Sequence, residues 1–154
     1  MEKKSSTLRF IYPQWQGGIV AHWMSDIPAE DSSRGYYLGA QLLNYLAPQT
    51  NQKTVEVPVS LDINDRAIEK GISARGVLLK QTKAALELLK ENNPDRIVTL
   101  GGECSVSVVP FTYLIGKYPD DVAIIWIDAH PDINLPYDDY KGYHAMALTA
   151  CIGM

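Results

Sequence analysis

The chain lacks most of what several function classes require. Its 154 residues hold two cysteines, Cys104 and Cys151, too few for a disulfide framework. No apolar run approaches a membrane span, so no membrane partner is expected. The start, MEKKSSTLRFIYPQW, has lysines but no uninterrupted apolar stretch, which argues against a signal peptide. A cytoplasmic protein is the default expectation. With 14 Lys and Arg against 18 Asp and Glu, the net charge is −4, so the basic footprint of a nucleic-acid binder is missing. Neither G-x-G-x-x-G nor the Walker spacing occurs, which makes a nucleotide site at Gly101-Gly102 the weakest of the readings. There is no internal repeat, no low-complexity stretch and no domain boundary.

What is present is ordinary globular material, 46% hydrophobic and 21% charged. That is enough for one domain, 1–154, with a real core. Thr7 to Tyr12 (TLRFIY) predicts a strand stopped by Pro13. A loop with Gly17, Gly18, Trp15 and Trp23 follows, and Ser32 or Ser33 is placed to cap a helix from Arg34 to Leu46. Thr54 to Val59 (TVEVPV) reads as an edge strand or strand end because of Pro58. SLDINDRAIEKGIS reads as a connection. A long helix spans Ala74 to Asn92, ended by Asn93-Pro94. Arg96 to Leu100 is a buried-type strand, and Ser105 to Lys117 a helix. Val122 to Ile127 is apolar on both faces, as a central parallel strand would be. His144 to Ile152 is a last apolar segment; AMALTACIGM stops in what reads as the middle of a helix, a hint of truncation. The alternation predicts an α/β fold with a parallel, helix-covered sheet.

Chemistry concentrates where that sheet should end. Asp128, His130 and Asp132 follow the fourth strand at i, i+2 and i+4. Residues two apart in an extended segment point the same way, so the three converge if the strand continues. Carboxylates with an imidazole suit manganese, zinc or iron. Gly101-Gly102-Glu103-Cys104-Ser105 lies between a strand and a helix on the same rim. Cys104 there either faces the ligands of the next strand or is a small buried residue. His144, after a loop rich in Pro and Asp, becomes interesting if that loop folds back over the metals, where an imidazole moves protons near neutral pH. His22 has no such context.

GGECS, WIDAHPDIN and KGYHAMAL, in that order, resemble the arginase/agmatinase family, the manganese ureohydrolases. The likeness runs from about the Arg96 strand onward. It implies a three-layer α-β-α fold with a parallel sheet, present here over about half of the family's domain. It implies two manganese ions, with Asp128 bridging them, His130 on one and Asp132 on the other. Cys104 stands where the family has a histidine ligand, and Glu103 where it has an aspartate. Asn134 resembles the arginase branch, where it contacts the amino-acid end of the substrate. His144 matches a histidine assigned to proton transfer or substrate orientation. The implied reaction hydrolyses a guanidinium or amidine C–N bond and releases urea from a small guanidino substrate, such as arginine or agmatine. The family also implies a possible homo-oligomer.

Two departures bear on activity. A Cys104 thiolate favours softer ions than manganese, so another divalent metal is admitted. The family's later S-x-D-x-D motif, which completes both metal sites, does not occur. The chain is therefore expected to be a fragment, inactive and sticky on its own because of an exposed edge strand. The alternative is a catalytically impaired family member that acts as a binding or regulatory protein.

Overall fold

The computed structural model describes residues 6–154. Its centre is β1, Thr7–Tyr12, which is buried along nearly its whole length. β1 pairs in parallel with β2, Lys53–Glu56, on one side and with β5, Arg96–Gly101, on the other. The pairing with β2 runs on by one bond, from the Val57 amide to the Ile11 carbonyl, before Pro58 ends it. The strand order β2-β1-β5 makes β2 an outer strand, and Pro58 lies just beyond its end.

This order sets the layers. The chain leaves β1 toward β2 through α3, Gly35–Leu46, and then travels the opposite way to β5 through α4, Arg75–Asn92. Right-handed crossovers in opposite directions put the two helices on opposite faces of the sheet. The burial agrees. Leu8, Phe10 and Tyr12, on one face of β1, pack with Ala85 and Leu89 of α4 and with Val109 of α5, Val108–Lys117. Pro110, third residue of α5, falls where its missing N–H costs no helical bond.

Several local expectations change. Ser32 and Ser33 do not cap α3. They lie inside a short helix, α2, Ala29–Ser33, and the Ser33 hydroxyl accepts a hydrogen bond from Arg66 at 2.6 Å. The first loop also holds a 3-10 turn, Gln16–Gly18, and one further helical turn, α1, Val20–Trp23. The polar connection contains a two-stranded hairpin, β3 (Ile68–Glu69) with β4 (Ile72–Ser73). The last segment is a 3-10 turn, Tyr143–Met146, leading into α6, Ala147–Cys151. It does not stop in mid-helix: Gly153, at φ +80°, closes α6, with the Met154 amide donating to the Thr149 carbonyl at 3.2 Å.

The largest departure is Val122 to Ile127. This segment is not a paired strand in the structure. It lies against α5, where the Trp126 ring meets Phe111 edge-on with centroids 6.1 Å apart. Its other side is open: Ile125 is 81% and Ile127 92% exposed. A strand apolar on both faces needs cover on both. Here α5 covers one.

Candidate metal centre

The carboxyl ends of β1 and β5 lie side by side, since Tyr12 pairs with Gly101. The chain departs from β1 in opposite directions to reach its two neighbours, and α/β sheets bind ligands at such a point. The Gly102 amide donates to the Tyr12 carbonyl at 3.0 Å, and a Cβ on Gly102 would overlap the Gln14 carbonyl. That close approach is what the second glycine permits.

Glu103 then fixes the turn that carries Cys104. Its carboxylate accepts from the Ser105 amide at 2.8 Å, the Ser105 hydroxyl at 2.7 Å and Gln14 Nε2 at 2.8 Å. Burial pushes the Glu103 carboxyl above its usual range, against these donors. Gly17 lies over it, where any Cβ would press on the carboxylate. Glu103 is thus a buried tie between the loops after β1 and β5. It holds the 3-10 turn Cys104–Ser107, and with it the thiol, at the sheet rim.

Asp132 reaches the same rim from the other side. Its backbone is left-handed, at φ +49°, a conformation that aspartate tolerates better than most residues. Its carbonyl accepts from the Leu148 amide at 3.0 Å, and the Asn134 amide donates to the Ala145 carbonyl at 2.9 Å. The start of α6 therefore anchors the loop, and the turn Tyr143–Met146 carries His144 beside it.

Cys104 Sγ, an Asp132 carboxylate oxygen and a His144 ring nitrogen all lie within 4.8 Å of one another. Asp132 is 3% exposed, and its Oδ2 is buried without a hydrogen-bond partner among the described residues. Cys104 Sγ donates to Asp128 Oδ2 at 3.6 Å. Burial, then the charge of Asp132, pushes the thiol well above its ordinary value. Burial likewise raises the Asp132 carboxyl and lowers the His144 imidazole, so each group is driven toward neutrality. The orphaned Oδ2 and the sulfur, oxygen and nitrogen donor set fit a divalent ion.

Asp128 and His130 stay outside that group. The chain bends at 128–130, where the His130 amide donates to Asp128 Oδ1 at 2.9 Å, and is left-handed at Asp132, so it is not the extended segment that alternation assumes. The His130 ring is 80% exposed and 3.9 Å from Asp128 Oδ1. It lines a cavity of about 520 Å³ together with Asp132, Asn134, His144, Trp23 and Tyr140. That volume suits a small ligand. Asn134 is half-buried in its wall.

Trp23 and Tyr140 carry no metal-ligand signal in the sequence. The Tyr140 hydroxyl lies 2.7 Å from His144 Nε2 and donates to the Gly18 carbonyl at 3.2 Å, while Trp23 Nε1 donates to the Tyr140 hydroxyl at 3.3 Å.

The sequence model of the arginase family matches residues 34–154. The chain belongs to the arginase family. An arginase of Entamoeba histolytica is 24% identical over 120 residues, 73% of this chain and 39% of that protein. An arginase of Coccidioides posadasii is 28% identical over 98 residues, 60% of this chain and 30% of the relative. An arginase of Plasmodium berghei is 36% identical over 69 residues, 44% of this chain and 18% of the relative. The chain thus spans well under half the length of each of these three relatives. The parallel sheet between helices is the arrangement expected of an arginase-family α/β fold. Among the described residues, no helix is long and apolar enough to cross a membrane.

Proposed function

We propose that this chain carries one wall of the active site of an arginase-type hydrolase, which cleaves a guanidinium or amidine C–N bond and releases urea. The observation that supports the reading most is the convergence of Cys104, Asp132 and His144 beside a cavity lined by Asn134, in a chain of the arginase family. A divalent ion, when bound, supplies Lewis acidity, making water acidic enough to serve as a nucleophile near neutral pH.

The chain's own residues divide the remaining work. Asp132, Cys104 and Asp128 supply negative charge to hold the metal. The family resemblance favours manganese, and Cys104 admits a softer ion. Asn134 accepts from and donates to the polar end of the substrate, orienting an arginine-like molecule along the cavity. Of the two cavity imidazoles, His130 and His144, one completes the metal site. The other takes up the proton that the attacking water gives up and hands it to the leaving amine. Burial pushes the His144 imidazole below its ordinary value, toward the uncharged form. Trp23 and Tyr140 form the apolar side that keeps bulk water from the substrate stem.

The test is urea release from arginine, agmatine and 4-guanidinobutyrate, with manganese, cobalt or zinc supplied. It uses this chain fused to the carboxyl-terminal half of a related arginase. Turnover of one of them supports the reading. No turnover of any, with metal bound, removes the assigned reaction.

One observation favours a second reading, a family member that binds without catalysis. The expected ligand His130 stands in solvent. Metal analysis separates the two: two tightly held ions per chain in the fusion count against the non-catalytic reading.

A further inference from the structure

Helix α3 turns its apolar side to solvent. Its sequence, GYYLGAQLLNYL, carries no charge. Ala40 is its one buried residue, and Tyr37, Gln41 and Asn44, on the same side at helical spacing, are half-buried. Gln41 Nε2 donates to Glu56 Oε1 of β2 at 2.7 Å. Small and polar side chains therefore meet the sheet. Leu38, Leu42 and Leu46 form a row, four residues apart, on the far side, with Leu43 and Tyr45 flanking it. Each of these five is at least half exposed, Tyr45 by 80%. A helix of a folded domain ordinarily buries such a stripe.

We infer that this row docks a second copy of the chain, with the two α3 helices packed about a two-fold axis at Leu42. The size of the patch suits that partner. The five side chains expose on the order of 500 Å², within the range of patches that mark protein–protein contacts. Val98 extends the patch. Ile97 of β5 packs toward the α4 side, so alternation turns Val98 to the α3 face, where it is exposed. A stable interface takes about 800 Å² from each partner. The leucine row supplies its apolar centre, and the surroundings of α3 its rim.

Charge and symmetry select the second copy over other partners. With no charged side chain on α3, two copies meet without like-charge repulsion, and a strongly charged partner finds nothing on the helix to pair with. A row of equal spacing is also its own complement. About an axis at Leu42, Leu38 of one copy meets Leu46 of the other, and the same pair repeats on the other side. The helices then run antiparallel, which sets the positive end of each macrodipole beside the negative end of its neighbour. Such a contact closes on itself, so its product is a dimer and not a fibre. The inference is independent of the hydrolase reading.

Analytical ultracentrifugation of the whole chain tests this. At micromolar concentration the expected species has twice the mass of the chain. Leu42→Glu and Leu42→Lys each raise the dimer dissociation constant about a hundredfold, because each sets like charges face to face on the axis. Leu42 is half exposed, so both variants keep the circular dichroism of the parent chain. An equimolar mixture of the two regains the dimer. Ile127→Lys, on the other exposed apolar segment, leaves the parent's dimer unchanged. A monomeric parent chain, a dimer that Leu42→Glu leaves intact, a mixture that stays monomeric, loss of the dimer in Ile127→Lys, or growth into larger species overturns the inference. So does a monomeric fusion of this chain with the carboxyl-terminal half of a related arginase, since the added half would then cover α3 in place of a second copy. Urea release by that fusion is read separately and bears only on the hydrolase.

Discussion

The hydroxyl of Tyr140 lies 2.7 Å from Nε2 of His144 and also donates to the Gly18 carbonyl at 3.2 Å. A phenol has one proton to give. With that proton on Gly18, Tyr140 accepts from Nε2–H, and the lone pair of the imidazole sits on Nδ1. The tautomer is therefore set by a loop more than a hundred residues away, through a single carbonyl. Tyr140→Phe removes the hydroxyl and keeps the ring that packs on Trp23 and His144. Metal affinity is expected to fall about 10–100-fold, the usual cost of losing such an orienting bond. Far-ultraviolet circular dichroism should not change. A cobalt titration of the variant measures this, and unchanged affinity would show that Nε2 needs no orientation.

Asp132 supports a second prediction. Its Oδ2 is buried and unpaired, so the folded chain carries a desolvation cost that a bound cation offsets. At zinc roughly a hundredfold above the dissociation constant, binding contributes about 2.7 kcal/mol to stability. For a chain of this size that raises the melting temperature by about 5–10 °C. Asp132→Asn keeps the shape and loses the charge. It should melt at the same temperature with and without zinc. A zinc-dependent rise in the variant as large as in the parent chain would remove Asp132 from the site.

The parts of this arrangement legible in the sequence were those that local pattern determines. TLRFIY and RIVTL are strands at nearly the expected bounds, and the helices at Gly35–Leu46 and Arg75–Asn92 begin within a residue of where their periodicity put them. Val122 to Ile127 was misread because being a strand is a relation between chains of hydrogen bonds, and apolar sequence alone does not provide the partner. The DAHPD residues were read on an extended backbone, which the chain does not keep between 128 and 132. Alternation assumes an extended backbone, and the left-handed turn at Asp132 is imposed from α6, by the Leu148 amide on the Asp132 carbonyl. Cys104 and His144 were legible as candidates. Their meeting was not, because it depends on Glu103 and on α6 bringing two distant loops to one rim. Glu103 itself read as a departure from the family pattern. It is a buried anchor whose three donors no motif reveals.

Glycines give a prediction about the scaffold alone. Gly102 sits where β1 and β5 approach most closely, and an added Cβ would strike the backbone oxygen of Gln14. Neither strand can yield, because the Gly102 amide is bonded to Tyr12. Gly102→Ala should destabilise the chain by about 1–3 kcal/mol, the usual range for overpacking. Gly39, inside α3, has no atom near its absent Cβ. Gly39→Ala should therefore stabilise by about 0.5–1 kcal/mol, the helical cost of glycine. Urea denaturation of both variants measures the difference. Equal midpoints would mean that the rim turn relaxes freely.

Asp95 gives the pH dependence. It immediately precedes β5, and four donors hold its carboxylate: the Ser6 amide at 2.9 Å, the Ser6 hydroxyl at 3.2 Å, Lys117 Nζ at 2.9 Å and the Tyr118 hydroxyl at 3.1 Å. The Ser6 amide acts most strongly, followed by Lys117 and Tyr118, and together they hold the carboxyl far below its usual range. The folded state thus binds this proton less readily than the unfolded chain, whose aspartate titrates near pH 3.9. The stabilisation is complete above that unfolded value and is lost as pH falls through the lower folded one. Asp95→Asn should consequently melt below the parent chain by a constant gap from neutral pH down to about pH 5. The gap should close only in stronger acid, where the parent's own carboxylate takes up its proton. Thermal melts across that range test the assignment. A gap that already shrinks between pH 7 and pH 5 would mean that some other group governs the difference.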